Sequence, residues 1–162
     1  MSSRLFETKQ HAVQYQKYRP SYPEDLKQTI LDYIKDVNPS CSFASMLDIA
    51  CGSGQSTLMW KDTFTKIHGT DISAEQIQHA PKTYDNIKFS LGSGEDMAFG
   101  DSTMDLITVG QGLHWLDIER FYSEVKRVLK PRGVLAAFAY THRDITFDDA
   151  RATDIVMNEV RY

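Results

Sequence analysis

Five short apolar runs recur along the chain, and polar stretches with helical spacing lie between most of them. The runs cover residues 45–50, 66–72, 87–91, 104–109 and 134–140. A helix is predicted over residues 55–64, and another opens at Ser73, whose spacing to Gln76 is that of a capping box, and stops near Pro81. Asp117 caps a third, with Phe121, Val125 and Val128 on one face, and Pro131, Arg132 and Gly133 break it. Ahead of the first run, Pro23 opens a helix with Glu24 and Asp25 in its first turn. Its Leu26, Ile30, Ile34 and Val37 share a face, and Asn38 and Pro39 end it. Strands alternating with helices make βαβ units, right-handed crossovers and a parallel sheet. The last run, VLAAFAY, is apolar throughout, as a strand covered on both faces is. The expected fold class is therefore α/β, an open doubly wound sheet.

Composition narrows what such a sheet serves. A chain of 162 residues suits one domain and buries roughly 70% of its unfolded surface. The net charge of −4 argues against a nucleic-acid footprint. The basic run from Lys126 falls at a helix end, where cations complement the dipole. Cys41 and Cys51 lack metal or disulfide spacing, so no metal site is expected. No signal-like apolar stretch opens the chain and no run approaches membrane-spanning length, so a cytoplasmic location is expected.

Ligands of doubly wound sheets sit beyond the C-terminal strand ends. Four segments lie there: residues 51–55, Asp71, residues 91–96 and residues 110–115. The first belongs to LDIACGSGQST, where Gly52 and Gly54 flank one residue. Glycines there let backbone approach a ligand, and a following helix start favours an anion; a ligand-free tight turn is the alternative. Asp71 closes the second strand, where an acid accepts ribose hydroxyls in nucleotide-binding sheets; a helix-start acid before Ser73 is the other reading. Thr57 stands where a dinucleotide fingerprint has its third glycine, and no P-loop lysine follows. Asp48, four residues before Gly52, must be paired if buried, through loop amides or a cationic ligand group. Its charge disfavours a diphosphate and favours an ammonium or sulfonium, which points to S-adenosylmethionine.

At these residues the sequence resembles the class I S-adenosylmethionine-dependent methyltransferases. The match is to the small-molecule type 11 group, in a branch similar to trans-aconitate methyltransferase. It extends from about Phe6 to Tyr140. LDIACGSG matches the family's acidic glycine motif, with Ala50 in place of its first glycine, and GTDIS matches the ribose acid at Asp71. The resemblance implies a Rossmann-like sheet in the order 3-2-1-4-5. It implies Ile72 against adenine, and a base-edge contact from Ser93, Glu95 or backbone in GSGEDMAF. VGQGLHWLD resembles the loop after the fourth strand, which implies Gln111 beside the cofactor. YQKYRPSYP resembles an N-terminal lid, implying that Tyr15 and Arg19 approach the cofactor; an aromatic anchor for the N-terminus is the alternative. His114 is the candidate catalytic base or hydrogen-bond donor to the substrate, with a plain helix-start residue as the alternative, and its neighbour Trp115 is expected to fill a core gap.

The expected organisation is a lid over residues 1–22, a cofactor-binding domain over 23–141 and a short acidic tail over 142–162. Family members usually add two strands beside the fifth, and here they are expected to be missing. The fifth strand then presents an apolar edge open to a protein partner or a second copy. Two functions follow as expectations. One is methyl transfer to a small molecule, with a carboxylate as candidate acceptor. The other is an inactive cofactor-binding module, or truncated isoform, acting through a partner.

Overall fold

The fifth strand shows where local sequence and tertiary pairing part company. In the computed structural model, which describes residues 22–139, β5 runs over Leu129–Phe138 and follows the preceding helix without a gap. It pairs with β4 (Met104–Gly110), first Leu129 with Met104 and then Val134 with Leu106. Residues 130–133 thus stand opposite Asp105 alone. The expected break at Pro131, Arg132 and Gly133 is an irregularity inside the strand, with Arg132 at φ 63°. Lys130 fixes it by donating to Asp105 at 2.9 Å. Tyr140, Tyr15, Arg19 and the 142–162 tail lie outside the described residues.

The other strands are β1 (Ser45–Ile49), β2 (Lys66–Asp71) and β3 (Ile87–Leu91). All pairings are parallel and the order is β3-β2-β1-β4-β5, as expected. β4 is buried at every residue, Asp105 and Thr108 included, as a strand covered on both faces is. Among the described residues β3 and β5 each pair on one side only.

Helix α1 (Glu24–Val37) begins after Pro23, carries Glu24 and Asp25 in its first turn, and ends where the Asn38 amide reaches Ile34 O at 2.8 Å. Ile30 and Ile34 pack with Met46, Ile67, Leu106, Trp60 and Phe64 on one sheet face. On the other, Phe121, Val125 and Val128 of α4 (Ile118–Val128) pack on Leu47, Ile49, Ile107 and Val109. Each such side chain contributes roughly 1.5–3 kcal/mol on burial. Asp117 caps α4 by accepting from the Arg120 amide. Ser73 caps α3 (Ala74–His79) by accepting from the Gln76 amide, and Ala80 is extended before Pro81. No helix of the described residues is long and apolar enough to cross a membrane.

The helix predicted over residues 55–64 is a single turn, α2 (Gln55–Leu58). Beyond it the chain tightens: Trp60 N–H reaches Thr57 O at 3.2 Å and Thr63 N–H reaches Trp60 O at 2.8 Å. This winding sends both Trp60 and Phe64 into the core, edge to face at 5.9 Å. Propensity alone would continue the helix; burial of two large rings decides otherwise.

No helix bridges β3 and β4. Arg127 of α4 holds that loop instead, donating to Phe99 O at 2.7 Å, Met97 O at 2.8 Å and Asp101 at 2.9 Å. Glu124 pairs with Arg127 at 2.7 Å and accepts from the Met97 amide at 2.7 Å. The hydrogen bond from Arg127 holds the Glu124 carboxyl down to about 2, against the opposing effect of burial. Its contribution to stability is therefore complete above the unfolded value of 4.5 and lost as pH falls toward about 2. Glu124→Gln is expected to melt lower than the parent at neutral pH, with the difference closing between those two values. Thermal melts across that range check this, and a pH-independent difference would refute it.

Candidate cofactor and active site

The bend after β1 is left-handed at alternate residues. Ala50, Gly52 and Gly54 have φ of 53°, 56° and 96°. Two of the three are glycine, which takes such values freely. Ala50 occupies the place of a family glycine and carries about 1–2 kcal/mol of left-handed strain. Three amides staple the bend: Cys51 to Thr70 O at 3.0 Å, Gly52 to Asp71 Oδ2 at 2.8 Å, and Gly54 to Cys51 O at 3.0 Å. A side chain at Gly54 would meet the Phe89 ring at 2.7 Å, and one at Gly69 would meet it at the same distance. Phe89 of β3 thus moulds the bend from below, a contact the sequence reading did not anticipate.

Asp48 is completely buried. Ser56 and Thr57 donate to its Oδ2 at 2.6 Å each, and Thr108 donates to its Oδ1 at 2.7 Å. Such lengths are those of close hydroxyl-to-carboxyl hydrogen bonds. Three hydroxyls from α2 and β4 thus bond the acid, partners that the expectation of loop amides or a cationic ligand group did not include. Asp48 ties β1, β4 and the first turn of α2 together beneath the bend.

Asp71 sits at the tip of β2, partly exposed, accepting from Gly52 through Oδ2 and from the Ser73 amide through Oδ1 at 2.8 Å. Each carboxylate oxygen retains a lone pair for a further donor. Its neighbour Ile72 is 81% exposed, an apolar surface beside an acid. Ser93 donates to Glu95 Oε2, and Glu95 Oε1 accepts from the Asp117 amide at 3.0 Å. The Ser93 hydroxyl foremost, opposed by burial and aided by the Asp117 amide, holds the Glu95 carboxyl below its ordinary range. Glu95 thereby fastens the β3–β4 loop to the start of α4, with both oxygens engaged inside the protein.

Beyond β4, Gln111 is left-handed at φ 61° and its amide bonds Phe138 O at 2.9 Å. Gly112 lies against the bend, where an added Cβ would come within 2.6 Å of the Ala50 Cβ. His114 is exposed and lines a cleft of about 400 Å³ with Gln111, Leu113, Ile118 and Phe138. Its ring lies 4.8 Å from that of Trp115. Trp115 does not fill a core gap; it is 71% exposed. The short 3-10 turn Leu113–Trp115 explains this, because residues three apart eclipse and Leu113 and Leu116 take the core side. Burial, followed by the charges of Asp48 and Asp71, pushes the Cys51 thiol far above its ordinary range, so it is no thiolate nucleophile.

Asp71, the bend and Gly112 are thus in direct register, with Gln111 and His114 on the β4–β5 side. The family model for the methyltransferase domain matches residues 47–137, the span that contains all of these groups. The chain belongs to that family. A Dictyostelium discoideum protein named as a methyltransferase is 36% identical over 132 residues, 82% of this chain and 48% of that one. A Saccharomyces cerevisiae protein named as an S-adenosylmethionine-dependent methyltransferase is 27% identical over 136 residues, 80% of this chain and 45% of that one. A solved structure from Anaeromyxobacter dehalogenans, named as a type II methyltransferase, superimposes with TM-score 0.69 at 28% identity, over 88% of this chain and 57% of that one. The chain thus spans about half the length of the curated relatives it matches.

The family glycine that Ala50 replaces gives a direct test of the bend. Ala50→Gly is expected to stabilise the protein by up to about 1 kcal/mol, the strain relieved less the added unfolded-state entropy. Gly112→Ala should destabilise the parent strongly and the Ala50→Gly background little. Thermal melts of the four proteins measure that coupling, expected at roughly 0.5–3 kcal/mol; additive effects would show that Ala50 is not the obstacle.

Proposed function

We propose that the chain binds S-adenosylmethionine at the tips of β1, β2 and β4 and serves methyl transfer to a small-molecule acceptor. The observation that carries this reading is Asp71, aimed by the Gly52 amide and flanked by the exposed Ile72. An acid with spare lone pairs beside an apolar platform suits a ribose diol and the base attached to it. Membership of the methyltransferase family and the name of the yeast relative support the same cofactor.

The cofactor supplies a methyl carbon activated by its sulfonium. Asp71 accepts the ribose hydroxyls and Ile72 covers a face of the base, while Ser93 and its loop backbone meet the base edge, Glu95 holding that loop in place. Gly52, Gly54 and Ala50 keep the backbone close to the amino-acid end, and Gln111 closes the same side. Tyr15 and Arg19, outside the described residues, take the roles the resemblance implies, Arg19 by pairing with the cofactor's carboxylate. His114 lines the cleft beside Gln111, placed to orient an acceptor or take its proton. The rate advantage comes mainly from holding nucleophile and methyl in line. A carboxylate is proposed as the acceptor on the motif resemblance to the trans-aconitate branch alone.

A second reading is binding without turnover, through a partner or a second copy at the edge of β5. Its support is that β5, among the described residues, pairs on one side only. Calorimetry with S-adenosylhomocysteine is expected to show binding that Asp71→Ala weakens roughly tenfold or more, the effect of losing hydrogen bonds to a charged group. Unchanged affinity in a folded variant would refute the site. Binding without transfer of a labelled methyl to carboxylate acceptors would favour the second reading.

A further inference from the structure

At the end of the sheet away from those strand tips lies a second cleft, of about 520 Å³. Its walls include Thr65, Lys66, His68, Asp85, Asn86 and Lys88. Lys66 and His68 are two apart on β2 and so share a face, and Lys88 is the direct partner of His68 on β3. Neighbouring strands lie about 4.8 Å apart, so the three side chains form one tight group. No carboxylate comes within ion-pair distance of either lysine among the described residues. Burial holds the His68 imidazole below its ordinary range, and the nearby Lys88 and then Lys66 add to that.

The walls are fixed. Phe99 stacks edge-on against His68 at 5.1 Å, and Arg127 holds the Phe99 carbonyl at 2.7 Å. Asn86 spends both amide hydrogens on Lys61 O at 2.8 Å and Phe64 O at 3.0 Å. A lysine on an edge strand deters strand addition, which accounts for Lys88. It does not account for a half-buried histidine on the inner strand, nor for the hollow before it. Among the described residues Asp85 is the one carboxylate in the cleft's lining, against the two lysines, so the lining keeps a net positive charge on a chain of net charge −4.

We propose that this cleft is a binding site for a phosphate group, with Lys66 and Lys88 supplying ammonium contacts and His68 an imidazole N–H donor. The site is independent of the methyl-transfer reading, since none of its residues belongs to the strand tips. The test is a titration of the 162-residue chain with inorganic phosphate and, separately, glycerol 3-phosphate, against sodium chloride at matched ionic strength. The readout is the His68 ring resonances, assigned by His68→Gln. A saturable shift is expected, which Lys88→Ala weakens roughly fivefold, at the upper end for one exposed ion pair, and Lys66→Ala with Lys88→Ala abolishes. Tighter binding of inorganic phosphate identifies a free anion, and tighter binding of the ester identifies a phosphorylated metabolite. The proposal is overturned if chloride reproduces the shift. It is also overturned if the double variant, melting as the parent does, still binds.

Discussion

A carboxyl group with no access to water sits at the middle of the sheet, and the order of the C-terminal edge rests on how Asp48 is satisfied. Burying such a group is costly unless hydrogen-bond partners replace the solvent. Ser56, Thr57 and Thr108 do so at 2.6–2.7 Å, reaching from two different elements. The three bonds fix β1 against β4 and draw the chain back over the strand end as α2. The left-handed bend lies between those anchors. Its amides are then free to staple to Thr70 and Asp71, which fixes the Asp71 carboxylate at the tip of β2.

The sheet was legible in the sequence because its signals are local and redundant. Apolar runs, Ser73 and Asp117 as caps, and Pro23, Pro39 and Pro81 as punctuation all agree, and β3 falls on the residues the pattern marks. The order of the strands came from resemblance, not from periodicity. What local pattern missed are the places where distant residues decide. Thr108 lies 60 residues from Asp48, so no window around the glycine motif reveals it. The shortness of α2 is set by the burial of Trp60 and Phe64, and the looped-out residues in β5 by Lys130 reaching Asp105.

The candidate site was legible in its acids and glycines but not in their division of labour. Asp48 and Asp71 look alike in sequence, each near a strand end. One is sealed within the protein and holds the frame, while the other, partly exposed at the tip of β2, keeps lone pairs for a further donor. Ala50 was visible as a departure from the family motif, yet its crowding against Gly112 needs coordinates, because those residues meet only through the β1–β4 pairing. Trp115 was misplaced because a short 3-10 turn inverts the inward and outward assignment that a longer helix would give.

The placement of the aromatic residues has one more consequence. The chain holds two tryptophans, Trp60 sealed in the core and Trp115 standing in solvent beside His114. Their emission separates by environment: the blue component follows the integrity of the packed interior, and the red component follows whatever settles at the mouth of the cleft. The molecule thus carries two intrinsic optical probes, one for cohesion and one for occupancy, with no label to attach.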